Sequence, residues 1–121
     1  MSTPYYPGIA PIDAYGNGGF RFAGISHRGS LLCLPSGIYA WKPADPLDQP
    51  CLALALAEKD AMRLLILGTG PRQLFPAPAV RRAFAVAGVA LEPMDTGAAC
   101  RTYNVLLAEG RPVGAALIAV G

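Results

Sequence analysis

The sequence predicts an α/β domain in which several short β-strands precede an alternation of strands and helices. Of the 121 residues, 53% are hydrophobic and 15% are charged, which is enough apolar material for one core. The first third alternates short apolar runs with glycine-containing turns. Residues 63–120 alternate strand-length apolar runs with two amphipathic segments. Strands connected by helices are typical of parallel neighbours with right-handed crossovers.

The length and composition also limit the class of protein. We place one domain at residues 12–121 and expect residues 1–11, which contain three prolines, to form a loosely packed arm. No apolar run reaches the roughly 20 residues of a membrane helix, and the N-terminus lacks a secretory signal pattern. The net charge of +2 is too small to indicate a nucleic-acid-binding surface. We therefore expect a cytoplasmic domain without a membrane span.

The cysteine and histidine counts argue against a metal centre. The three cysteines, Cys33, Cys51 and Cys100, fit neither a disulfide framework nor a four-ligand zinc site, and reduced thiols are expected. Because His27 is the one histidine, any Ser-His-Asp or Cys-His arrangement would need this residue. The sequence predicts no metal and no cofactor.

The first third is predicted to be a β-meander. The Asn-Gly-Gly sequence at 17–19 favours a tight hairpin, because Asn-Gly readily adopts the positive φ angles of such a turn. A second turn is expected at 27–29, before an apolar strand at 30–34 that is buried on both faces. Residues 38–42 are predicted to continue the meander as a strand.

The middle of the chain gives a weaker pattern. Residues 43–50 hold three prolines and two aspartates, which indicates a loop. Residues 51–59 combine the period of a strand with the composition of a helix, and we predict a short helix.

The remainder is predicted to run strand, helix, strand, helix, strand. The strands are expected at 63–67, 89–92 and 113–120, and the helices at 78–87 and 97–109. Gly88 and Gly110 are expected to end the two helices.

Two loops at the ends of successive predicted strands form a candidate ligand site. They are Gly68-Thr69-Gly70 and the segment 93–96, and ligands of open α/β sheets bind outside the carboxyl ends of strands. Helix N-termini attract anions, and Arg72 and Arg101 would add positive charge. A purely structural explanation also fits, in which the glycines form a tight turn and the Asp-Thr pair at 95–96 caps a helix.

No residue is predicted to be catalytic. Asp95 has no carboxylate partner that the sequence identifies. Cys100 lies about one turn into a predicted helix, where the helix dipole would lower its pKa. It shares a face with Tyr103 and Leu107, however, and we expect a buried, inert thiol.

Residues 94–111 (Met-Asp-Thr-Gly-Ala-Ala-Cys-Arg-Thr-Tyr-Asn-Val-Leu-Leu-Ala-Glu-Gly-Arg) resemble the signature of a small domain-of-unknown-function family. That family includes mitochondrial complex I assembly factor three and the adipogenesis-associated domain-containing protein. The further matching blocks are Tyr15-Gly16, Gly19-Phe20, Gly29-Ser30, Leu34-Pro35, Trp41 and residues 67–70. The resemblance extends from Ile12 onward, and the helix usual in the family is least obvious at 51–58.

The resemblance implies a three-layer domain with a central mixed sheet and an inserted β-hairpin. It implies no established enzymatic activity, and the mitochondrial relative assembles complex I through protein contacts. It also implies a pocket at the matching positions Gly68, Thr69, Gly70, Asp95, Thr96, Arg101 and Asn104.

These observations leave two candidate functions. The first is a non-enzymatic protein-interaction domain, similar to a respiratory-complex assembly factor, with another protein as its partner. The alternative is a small-molecule or anion-binding protein, or an enzyme, that uses the crevice at residues 68–70 and 95–96, with Asp95 or Cys100 as the reactive group. The 10 basic and 8 acidic residues and single histidine leave few groups for catalysis, which favours the first.

Overall fold

The computed structural model describes residues 4–121, which form two β-sheets and three α-helices. The smaller, antiparallel sheet contains β1 (Ala14–Gly16), β2 (Gly19–Phe22) and β3 (Ile25–Arg28) in sequence order. The larger sheet contains β4 (Ser30–Leu34), β5 (Gly37–Trp41), β6 (Leu64–Gly68), β7 (Ala90–Met94) and β8 (Val113–Leu117). Its strand order is β5-β4-β8-β6-β7.

The N-terminal strands differ in part from the predicted meander. The hairpin at 17–19 is confirmed, with Asn17 and Gly18 at φ 52° and 79°. The predicted second turn at 27–29 is wrong, because His27 and Arg28 belong to β3. The chain turns instead at Ala23 (φ 50°) and Gly24 (φ 75°). The meander ends with β3, and β4 and β5 belong to the larger sheet.

The C-terminal half has the predicted alternation. α2 (Pro78–Ala87) connects β6 to its parallel neighbour β7, and α3 (Thr96–Ala108) connects β7 to β8, which is parallel to β6. Gly88 ends α2 in a left-handed conformation at φ 77°, as predicted. Because β4 is antiparallel to both β5 and β8, the larger sheet is mixed.

The predicted helix at 51–59 is shorter and less regular than expected. α1 (Ala53–Leu56) lies between two 3₁₀ turns, Pro50–Leu52 and Lys59–Ala61. The longest helix, α3, has 13 residues, and no helix within residues 4–121 has the length and apolar character to cross a bilayer.

The larger sheet lies between two apolar layers, which confirms the three-layer α/β architecture. On one face, α3 and the smaller sheet contribute Phe20, Phe22, Cys100 and Tyr103 to a core that also contains Cys33 and Ile66. On the other face, α1 and α2 contribute Ala55, Val80 and Phe84 beside Leu65, Leu67 and Trp41. The buried side chains of β4 alternate between the two cores, so the strand is buried on both faces as predicted.

Part of the N-terminal arm packs against the edge of β5. Residues 1–3 lie outside the described residues. The backbone N–H groups of Tyr5 and Tyr6 donate to the Ile38 carbonyl at 2.7 and 3.0 Å, and the Ile38 N–H donates to the Tyr6 carbonyl at 2.9 Å. The rings of Tyr5 and Tyr6 also pack edge-on against Phe22. Residues 5–6 therefore cover the outer edge of β5 at Ile38.

Candidate functional site

The structure places the two candidate loops side by side at the carboxyl ends of β6 and β7. Gly68 at the end of β6 lies opposite Met94 at the end of β7. The Thr69 N–H donates to the Met94 carbonyl at 2.8 Å, and the Thr96 N–H donates to the Gly70 carbonyl at 2.8 Å. Backbone hydrogen bonds thus join the loop at 68–70 to the segment around 95–96.

Thr96 connects three elements through its hydroxyl group. This buried oxygen accepts a hydrogen bond from the Gly70 N–H at 2.9 Å and donates one to the Ile118 carbonyl at 2.7 Å. A Cβ atom on Gly68 would lie 3.1 Å from the Thr96 hydroxyl, so a glycine there allows the close approach of β6 to α3.

Thr69 fixes the segment that follows. Its hydroxyl group donates to the Arg72 carbonyl at 2.7 Å and accepts from the Leu74 N–H at 3.0 Å. The side-chain amide of Gln73 donates to the Pro93 carbonyl at 2.9 Å. The chain between β6 and α2 is thereby held to β7.

Asp95 is the N-cap of α3. Its carboxylate accepts from the Ala98 N–H at 2.9 Å, which satisfies a backbone donor of the first helical turn. Tyr15 packs against the same turn, since a Cβ atom on Gly97 would lie 3.0 Å from its Cζ. The N–H groups of residues 69, 70 and 98 therefore already donate to acceptors in the protein.

The two remaining predicted site residues, Asn104 and Arg101, make no hydrogen bond to these loops. The Asn104 side chain accepts from the Ile12 N–H and donates to the Ile12 carbonyl, both at 2.8 Å. Arg101 is exposed on α3. The structure thus brings together Gly68, Thr69, Gly70, Asp95 and Thr96, while Asn104 connects α3 to the segment before β1.

Cys100 is only 3% exposed and packs in the core with Cys33 and Tyr103. Burial raises the pKa of the Cys100 thiol to about 12, against a smaller lowering effect of Arg101. Burial also raises the pKa values of Cys33 and Tyr103. Protonated thiols are poor nucleophiles, so Cys100 has the properties of a core residue.

An apolar groove that the sequence did not indicate opens beside residues 69–70. It has a volume of about 370 Å³ and is lined by residues 43–47, 69–71, 74–77 and 118. Leu74 and Phe75 project beside it with 55% and 74% of their surface exposed. The available signal was this pair of large apolar residues within a proline-rich stretch, Pro71 to Pro78.

Residues 12–118 match the model of a family described as a protein of unknown function (DUF498/DUF598). An uncharacterized protein of Rhodobacter capsulatus is 41% identical over 115 residues, which cover 95% of this chain and 89% of the relative. The NADH dehydrogenase [ubiquinone] 1 alpha subcomplex assembly factor 3 of Mus musculus is 32% identical over 93% of this chain and 62% of its own length. The chain thus spans less than two thirds of that assembly factor.

Solved structures share the fold. A crystal structure described as an outer membrane protein from Bartonella henselae has a TM-score of 0.94 at 48% identity, covering 97% of this chain and 100% of the other. The Rpa2829 protein of Rhodopseudomonas palustris has a TM-score of 0.84 at 43% identity, covering 99% and 90%. The matches confirm the resemblance inferred from residues 94–111, and the chain belongs to the DUF498/DUF598 family.

Proposed function

We propose that this protein is a non-enzymatic interaction domain of the assembly-factor type that binds a partner protein through residues 70–77 and the adjacent groove. The observation that carries this proposal is the exposure of Leu74 and Phe75, at 55% and 74%, on a segment fixed by hydrogen bonds. Full burial of side chains of this size is worth roughly 1.5–3 kcal/mol each.

The fixed conformation of the segment strengthens this argument. Interfaces lose part of their binding energy when flexible loops become ordered, and a segment that is already ordered avoids much of this loss. Thr69 and Gln73 hold residues 72–74 in place before any partner binds. Aromatic side chains such as Phe75 are also enriched among the residues that dominate interface energies.

The chemistry of the neighbouring groups supports a binding role over catalysis. The Asp95 carboxylate caps α3, and the Cys100 thiol is buried with a pKa of about 12. The loop amides at 69 and 70 are hydrogen-bonded within the protein, which leaves them less available to an anion.

The similarity to assembly factors suggests the class of partner. Those of Mus musculus and Bos taurus are 32% and 35% identical to this chain. We therefore assign as partner a subunit of a respiratory NADH dehydrogenase during its assembly. Cys33, Cys51 and Cys100 are all unpaired, which is consistent with a cytoplasmic location. Cell fractionation tests that location, since the Bartonella henselae relative is described as an outer membrane protein.

The test compares captures by three tagged proteins in the native host: wild type, Leu74→Ser/Phe75→Ser, and the control Val105→Ser. Val105 is 57% exposed on α3, outside the groove. We expect wild type and control to recover NADH dehydrogenase subunits and the groove variant to recover at least about tenfold less. Equal recovery by all three, or no enrichment of such subunits by wild type, would contradict the proposal.

The groove volume also supports the small-molecule alternative, because about 370 Å³ lies within the roughly 300–1,000 Å³ of ligand pockets. Native mass spectrometry of the purified protein distinguishes the two functions. A small molecule that is retained by wild type and lost by the groove variant, without recovery of dehydrogenase subunits, would favour the alternative.

A further inference from the structure

The outer face of the smaller sheet carries a second concavity, which shares no residue with the groove. It is open, has a volume of about 400 Å³, and extends across β1, β2 and β3. The strand register defines two rows of residues on this face. The first row is Ala14, Arg21 and Ser26, and the second is Gly16, Gly19 and Arg28.

Two arginines dominate the charge of this face. Arg21 on β2 and Arg28 on β3 are diagonal neighbours in adjacent rows, and both are exposed. Diagonal neighbours in a sheet are roughly 7–8 Å apart, which is within reach of long side chains. Within residues 4–121 the one ion pair joins Arg111 to Glu109, so neither arginine forms an ion pair with a carboxylate in that range.

Glycines create the floor beside these arginines. Gly16 and Gly19 occupy two of the three positions of the second row, so Arg28 is the one residue of that row with a side chain. A Cβ atom on Gly19 would collide with the His27 carbonyl oxygen, so this position cannot carry a larger residue without rearrangement. The face therefore combines a low backbone surface with two cationic groups at its side.

We propose that this face docks an acidic segment of a partner protein, whose Asp or Glu carboxylates pair with Arg21 and Arg28. The guanidinium group binds carboxylates through two parallel hydrogen bonds, which suits it to this role. The open shape fits a segment of chain better than an enclosed small molecule. Two arginines and a net charge of +2 are too few for a nucleic-acid footprint.

This inference adds a contact surface to the proposed function and does not depend on the groove. One surface is apolar and lies at the carboxyl ends of β6 and β8, and the other is cationic and lies on the smaller sheet. A domain with two such surfaces can hold two partners, or two parts of one partner, at the same time.

The test is an NMR titration of the ¹⁵N-labelled full chain with hexaglutamate at low ionic strength, with hexaglutamine as the neutral control. We expect hexaglutamate to shift the amide signals of β1, β2 and β3. Arg21→Gln/Arg28→Gln is expected to weaken binding about tenfold. The matched variant Arg81→Gln/Arg82→Gln removes the same charge from exposed positions on α2 and should weaken it less than about twofold.

Three results would overturn the proposal: equal weakening by the two double variants, shifts confined to residues outside the smaller sheet, or binding of tripolyphosphate to the same residues as tightly as hexaglutamate. The last would indicate a small-anion site. Phe75→Ser should leave hexaglutamate binding unchanged, so failure here and failure of the groove proposal are distinguishable. Even if an arginine variant does not fold, the amide signals that shift in the wild-type protein show whether hexaglutamate binds the smaller sheet.

Discussion

The Thr96 hydroxyl accepts a hydrogen bond of 2.9 Å from the Gly70 N–H and donates one of 2.7 Å to the Ile118 carbonyl. Thr96 begins α3, Gly70 follows β6, and Ile118 follows β8. One buried side chain therefore connects a helix to the ends of two parallel strands. A residue of the predicted pocket is thus required for the structure of the loops.

Replacement of Thr96 by valine keeps the shape of the side chain and removes the hydroxyl. The Gly70 N–H and the Ile118 carbonyl would then lose their partner, and an unsatisfied buried polar group costs about 1–3 kcal/mol. We expect Thr96→Val to lower the free energy of unfolding by about 2–4 kcal/mol in urea denaturation.

Thr102→Val is the control for this change, because Thr102 lies on the same helix and is only partly buried. We expect it to change stability by about 0.5 kcal/mol or less. If Thr96→Val were no more destabilising than the control, the structural role of the Thr96 hydroxyl would be wrong.

Asn104 gives a second prediction about the candidate pocket. Its amide donates to and accepts from the backbone of Ile12, which is 92 positions away in sequence. In Asn104→Asp the ionised carboxylate cannot donate and faces the Ile12 carbonyl oxygen. We expect a loss of about 1–3 kcal/mol at neutral pH, measured by urea denaturation.

The control for Asn104→Asp is Val105→Asp, which adds the same charge at an exposed position of α3. We expect this variant to lie within about 0.5 kcal/mol of wild type. Equal destabilisation by the two variants would show that added charge, rather than the bonds to Ile12, determines the effect.

The parts of the fold that depend on local chemistry were predictable from the sequence. The bounds of α2 follow from its apolar period and from Gly88, whose positive φ few other residues adopt. The burial of β4 follows from its continuous apolar composition. The turn at Ala23 was missed because alanine has no preference for its observed φ of 50°.

The candidate site was less predictable because its bonds join distant segments. The proximity of residues 68–70 and 95–96 follows from the parallel arrangement of β6 and β7. The pairing of Asn104 with Ile12 has no local signal. Apolar residues such as Phe75 are usually buried, so its exposure depends on the conformation of the loop that carries it.

The three thiols should differ in their rates of modification. Cys33 and Cys100 are buried, whereas Cys51 is partly exposed. The reagent, a chromogenic disulfide, reacts with thiolates that are accessible to it. We therefore expect one equivalent to react quickly in the native protein and three to react after denaturation. Cys51→Ala should remove the fast phase. A fast phase that persists in Cys51→Ala and disappears in Cys100→Ala would contradict the buried, inert assignment of Cys100.

The raised pKa of Cys100 predicts how alkaline pH affects stability. Burial moves this pKa from 9.0 to about 12, so between these values the unfolded chain releases a proton that the folded protein retains. As the pH rises, unfolding is then favoured by up to about 1.4 kcal/mol per pH unit for one group. The contribution of the protonated thiol to stability is complete below pH 9 and is progressively lost above it. We expect urea denaturation from pH 8 to 11 to show a steeper loss of stability for wild type than for Cys100→Ala. Parallel curves for the two proteins would mean that the thiol titrates alike in the folded and unfolded chains.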